Sequence, residues 1–177
     1  MRAFVAVEVP PPTDETHPGS APAHLTLFFL GEIPRERAGP IAEALAPVGA
    51  ARAPFYATLE GVGAFPSADR PRVVWLGITE GSAELVRLAG EVRTALGSEG
   101  DPTRRETFAP HLTLFRVRSA TDRRRATELL TGTVAPPSPR RFRVREFVLK
   151  ESELSARGAT HRTLATFPLG EPSSQVP

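Results

Sequence analysis

Two stretches of this chain alternate polar and hydrophobic residues in the same order, His24-Leu25-Thr26-Leu27-Phe28 and His111-Leu112-Thr113-Leu114-Phe115. A period of two is the period of a β-strand, so each copy turns His, Thr and Phe to one face and both leucines to the other. Further strands are predicted at Ala3 to Val9, Phe55 to Leu59, Arg72 to Ile78, Phe142 to Glu151 and His161 to Phe167. Helical spacing shows in Ile41, Leu45 and Val48, within a helix predicted from Pro34 to Val48. It returns in Leu85, Leu88, Val92 and Leu96, where Ser82 reads as the N-cap and Gly97 as the stop. A short helix after Thr121 carries Ala126, Leu129 and Leu130.

Loops punctuate the pattern. Pro10 to Ala23 is rich in Pro, Thr, Gly and Ser, and Ser98 to Glu106 is polar. Gly61, Gly63, Pro66 and Ser67 mark a hairpin-like connection, Arg157-Gly158 a turn, and residues 171–177 a disordered tail. Hairpin-connected strands interspersed with helices predict an α+β fold of antiparallel sheets rather than a doubly wound parallel sheet. The repeat predicts two pseudo-symmetric lobes with flanking helices, each giving a central strand to one groove. At 177 residues the chain fits a single bilobal domain over residues 1–170.

Composition narrows the chemistry. There is no cysteine, which excludes disulfides and thiolate catalysis, and two of the four histidines lie in the repeat. One histidine on a strand is commonly structural, but two in identical five-residue contexts point to function. A zinc site is disfavoured because no carboxylate or cysteine recurs at ligand spacing beside them. Nucleophile motifs, phosphate-cradling glycine loops and dinucleotide fingerprints are also missing. Two imidazoles can act as base and acid in one displacement, and threonine hydroxyls can hold phosphate oxygens between them. That combination gives a metal-free and cofactor-free route to phosphodiester cleavage.

The formal charge is only +2, yet the basic residues are 21 arginines and the single Lys150. Arginine's planar fork suits phosphate, although a coding bias towards arginine yields the same count. Arg123-Arg124-Arg125 and the run from Arg140 to Arg145 are better signs of a basic surface than the total. No apolar run approaches the roughly 20 residues of a membrane span, and the first residues do not form a signal peptide. The expectation is a cytoplasmic monomer with no membrane partner.

At these residues the chain resembles the two-histidine phosphoesterase superfamily, and within it the RNA 2′,3′-cyclic phosphodiesterases also called 2′-5′ RNA ligases. The resemblance rests on Arg2 to Val7, His24 to Gly31, Arg72 to Gly77, Phe108 to Leu114 and Ser152 to Leu169. It implies two antiparallel-sheet lobes with the motifs facing across a groove. It further implies hydrolysis of an RNA or nucleotide 2′,3′-cyclic phosphate end to a 2′-phosphate, with minor reverse 2′-5′ ligation. By motif position His24, Thr26, His111 and Thr113 form the catalytic set, with His111 as base and His24 as acid. Arg116 is a phosphate-contact candidate, but strict alternation turns it away from His111 unless a bulge intervenes. Phe28, Phe108 and Phe115 could stack on a base, with core packing favoured for each. Arg72 could reach phosphate or cover the sheet edge, and Trp75 reads as core. His161 stands near a place where similar sequences carry tyrosine and reads as a surface residue. The family usually has a helix where this chain has only Pro11 to Ala23. The competing class is an RNA-end binder without turnover.

Overall fold

A computed structural model describes residues 1–10, 23–97, 108–155 and 158–170. Among these residues eight strands and three α-helices follow in the order β1 (Arg2–Glu8), β2 (His24–Glu32), α1 (Ala38–Ala50), β3 (Phe55–Phe65), β4 (Val73–Ile78), α2 (Ser82–Leu96), β5 (His111–Arg116), α3 (Ala120–Leu130), β6 (Arg140–Val144), β7 (Glu146–Ser155) and β8 (Gly158–Pro168). A 3₁₀ turn, Arg35–Arg37, leads into α1. The α+β class holds, and both sheets are wholly antiparallel. The first sheet has the order β2-β1-β7-β8 and the second β5-β4-β3-β6.

The two motif strands are therefore edge strands, not the central strands expected. Their placement has a physical reason, because β2 and β5 pack against each other where the sheets meet. Each sheet's otherwise open edge is covered by the other's. One motif strand at the same end of each four-stranded sheet gives the pseudo-symmetry its physical form.

One face of each sheet contributes to a continuous core. Leu25, Leu27 and Leu112 of the motifs join Val5 and Val7, helix residues Ile41, Leu45, Leu85 and Leu88, and Phe147. Leu25 is 1% exposed, and burying a leucine side chain contributes about 1.5–3 kcal/mol. On the same side Glu151, buried at the sheet surface, is held by Arg35 at 2.9 Å and Arg162 at 2.6 Å. No helix among the described residues is long and apolar enough to cross a membrane.

Several boundaries differ from the sequence pattern. β3 runs through Gly61 and Gly63 to Phe65, so only Pro66 and Ser67 of the four expected turn markers lie in the connection. Gly63 is required because the Trp75 ring lies across it, and a Cβ there would come within 2.2 Å of that ring. Gly81, at φ 79°, caps α2 in place of Ser82, since the left-handed region favours glycine. α3 begins at Ala120, ahead of the expected start after Thr121. Ser119 is its N-cap, in a capping box in which Asp122 accepts from the Ser119 amide. Arg145 splits the strand expected over Phe142 to Glu151 into β6 and β7. Of the expected loops, Ser98 to Glu106 and all but the ends of Pro10 to Ala23 lie outside the described residues, as do Arg157 of the expected turn and the expected tail at 171–177.

Candidate active site

The repeat extends beyond its five letters into the backbone. In β2, Thr26 pairs with Ala6 and Phe28 with Val5, leaving Leu27 as an extra residue. In β5, Thr113 pairs with Trp75 and Phe115 with Val74, leaving Leu114 as an extra residue. Each copy thus bulges at its fourth position. A bulge shifts the alternation by one residue, so the residues after it change face, in β2 as far as a second irregularity at Leu30.

That shift corrects the expectation that His, Thr and Phe share a face. Phe28 sits opposite Val5 and packs against the core. Phe115 sits opposite Val74, with the Arg125 guanidinium of α3 4.6 Å from its ring centroid. The residues brought to the histidine face are instead Phe29, in register with Phe4, and Arg116, in register with Val73. The bulge that Arg116 needed is present. Phe108 is partly buried against the core rather than lining the groove. Arg72 is exposed and lies just outside β4, in the bend before Val73.

The opposite faces of the two sheets, away from the core, carry the polar chemistry. On the first sheet the His24 ring lies 5.0 Å from Phe4 and 5.0 Å from His161, and the Phe4 and His161 rings are 5.1 Å apart. His161 is half-buried with Nδ1 unpaired among the described residues, so it is not the surface residue expected. Burial and the nearby Lys150 charge hold its imidazole below the ordinary histidine range. Lys150, 2% exposed, pairs with Glu8 and donates to Thr163 Oγ1 at 3.0 Å. Glu8 is in turn the strand partner of His24. The sequence offered one signal for this cluster: the chain's single lysine, directly after the apolar run Phe147-Val148-Leu149.

On the second sheet His111 stands edge-on to Phe65 at 4.9 Å and lies 6.1 Å from Trp75. Trp75 shares the Val73 face as expected, but that face looks away from the core. His111 Nδ1 is 2.7 Å from the Ala109 carbonyl oxygen. A carbonyl can only accept, so the proton of a neutral imidazole resides on Nδ1 and Nε2 keeps its lone pair. Thr26 is partly exposed and Thr113 exposed on the same faces as their histidines. Among the described residues no three His, Cys, Asp or Glu side chains gather as metal ligands.

The profile of the 2'-5' RNA ligase superfamily matches residues 13–155. A protein of Aeropyrum pernix named RNA 2′,3′-cyclic phosphodiesterase is 39% identical over 143 residues, 80% of this chain and 78% of that one. Its namesake in Archaeoglobus fulgidus is 39% identical over 147 residues, covering 81% and 78%. Among solved structures, TT0787 of Thermus thermophilus superposes with a TM-score of 0.73 at 30% identity, over 97% of this chain and 100% of that one. The E. coli LigT complex with 3′-AMP gives 0.72 at 26% identity, over 96% and 98%. A profile match over most of the chain, together with relatives 39% identical across 80% and 81% of it, makes this chain a member of the 2'-5' RNA ligase superfamily.

Proposed function

We propose that this protein hydrolyses RNA 2′,3′-cyclic phosphodiester ends to 2′-phosphomonoesters by acid-base catalysis shared between its two motif histidines. The observation that carries the reading is the duplicated strand with its duplicated bulge, set edge to edge at the sheet junction. Relatives named for this activity, at up to 39% identity, support it. Both motifs come from one chain, so a monomer suffices.

In the reaction His111 Nε2, left with a lone pair by the Nδ1 bond to Ala109, takes a proton from water. The oxygen of that water bonds to phosphorus as the bond from phosphorus to the 3′-oxygen breaks. His24 gives its proton to the departing 3′-oxygen, leaving a 3′-hydroxyl and a 2′-phosphate. Solvent exchange then restores both imidazoles. Thr26 and Thr113 donate hydroxyl hydrogen bonds to the non-bridging oxygens, and Arg116, carried to this face by the bulge, offsets the charge that develops there. The scheme uses no cofactor. A 5′-hydroxyl in place of water gives the reverse-type product, a 2′-5′ linkage, as the minor activity. Phe28, Phe108, Phe115 and Arg72 have no part in it.

The test is conversion of a cyclic-phosphate-ended oligonucleotide to the 2′-phosphate product in the presence of chelator. Activity that survives chelator and falls about 10²–10⁴-fold in His24→Ala and in His111→Ala is expected. Binding without turnover, or a 3′-phosphate product, would overturn it.

A further inference from the structure

We propose that a shelf formed by Tyr56, Arg141 and Arg143 at the outer edge of the second sheet binds the RNA nucleotides leading up to the reacting end. This rests on the reading that such an end is the substrate.

The shelf lies on the His111 face. Tyr56 pairs with Arg143 and Thr58 with Arg141, while the alternate pair, Ala57 and Phe142, is buried in the core. Farther along β3 an irregularity after Leu59 keeps Val62 with the core and Gly63 against Trp75. Tyr56, Gly63, Trp75 and His111 therefore share one surface. Three inter-strand spacings, about 14 Å, separate β5 from β6, and the Tyr56–Arg143 pair lies roughly four residues, about 13 Å, farther along the strands than His111, so about 19 Å separates them, a span that a few nucleotides of single-stranded RNA bridge.

The chemistry is that of a stacking platform. Tyr56 is 44% exposed, and the Arg141 guanidinium lies 3.7 Å above its ring centroid. Two hydrogen bonds from Arg141 to Glu80, at 2.7 and 2.8 Å, fix the guanidinium in place and offset its charge. What remains of Arg141 is a held planar surface of the kind on which bases stack irrespective of sequence. Arg143 lies 6.0 Å from the same ring and has no carboxylate partner among the described residues, leaving its charge for a phosphate. A fixed plane beside an uncompensated fork matches a base and its adjoining phosphate better than it matches an acidic peptide, which has no use for the plane.

The experiment compares wild type, Arg143→Glu and Tyr56→Leu on a 2′,3′-cyclic mononucleotide and on a hexanucleotide with the same end. The expected result is a KM for the hexanucleotide raised about five- to tenfold, with mononucleotide kinetics unchanged within about twofold. In Arg143→Glu, but not in Tyr56→Leu, the salt dependence of hexanucleotide KM should also flatten, by a slope of about 0.7 for one lost phosphate contact. Fluorescence anisotropy with a 3′-hydroxyl hexanucleotide reads the shelf without any turnover. Equal anisotropy binding by all three proteins, or equal loss on both substrates, overturns the shelf. Absence of hydrolysis by wild type with variant-sensitive binding overturns the catalytic reading and leaves the shelf standing.

Discussion

Gly63→Ala tests whether the floor beneath His111 is as tightly built as the geometry indicates. The new Cβ would lie 2.2 Å from Trp75 Cη2, 2.3 Å from Cζ2 and 2.7 Å from Cζ3, far inside contact distance. All three atoms belong to the six-membered ring of the indole, so the side chain must tilt as a whole. It is wedged between Phe65, 5.2 Å away, and His111, 6.1 Å away. Overpacking of this kind costs about 1–3 kcal/mol, which for a chain of this size lowers Tm by roughly 3–10 °C. A tilted indole also moves His111, and a displacement near 1 Å at a reacting group can cost up to about 10²-fold in kcat. Thermal melts and steady-state kinetics on a cyclic mononucleotide read the two effects. Adding Trp75→Leu removes the clashing atoms, so the double variant should recover much of the Tm loss, a coupling that marks direct contact. Wild-type stability and kcat in Gly63→Ala would show that Trp75 does not lie over Gly63.

The buried cation on the other sheet makes a second prediction. Lys150→Met strands Glu8 without its partner and should destabilise by about 2 kcal/mol in urea unfolding, with Glu8→Gln added to Lys150→Met restoring part of it. His161 enters the folded state with its imidazole held below the ordinary range, so the native protein binds fewer protons there than the unfolded chain. Its effect on stability is absent above the unfolded value of about 6.5, and destabilisation grows as pH falls below it; His161→Phe should flatten that loss in unfolding measured between about pH 7.5 and pH 5.5. Glu80 is the opposite case, lowered to about 2 by the Arg141 hydrogen bond, so its contribution is present above the ordinary carboxylate value and lost as pH falls towards 2. A carboxyl-carbon NMR titration should place Glu80 below the other glutamates, and Arg141→Ala should raise it towards the usual range, the Thr58 hydroxyl still donating to it at 2.9 Å.

The elements with strong periodicity were legible in the sequence, and so was the chemistry of the repeat. Leu25 and Leu112 enter the core, and the leucine spacing of α2 packs as its helical period predicts. What escaped was register. A bulge has no letter of its own, so the alternating code ran past Leu27 and Leu114 and assigned Phe28, Phe115 and Arg116 to the wrong faces. The edge placement of β2 and β5 escaped for a related reason: both strands look central because their leucines are buried, yet that burial comes from one face only. His161 and Lys150 are far from His24 in sequence and meet it only through strand pairing across β1, β7 and β8. Trp75 reads as core in the sequence because it shares a face with Val73, whereas that face is the polar one and its ring is accommodated there by the missing side chain of Gly63.

If two copies of one strand make one active site, their histidines act in a single displacement. Single-turnover hydrolysis of a 2′,3′-cyclic-phosphate-ended oligonucleotide by His24→Ala, His111→Ala and the double variant tests this without intermediaries. Groups that act in one displacement are not additive, so the double variant should be no slower than the slower single by more than a few fold. Losses that multiply in the double variant, or wild-type turnover in either single, would contradict it.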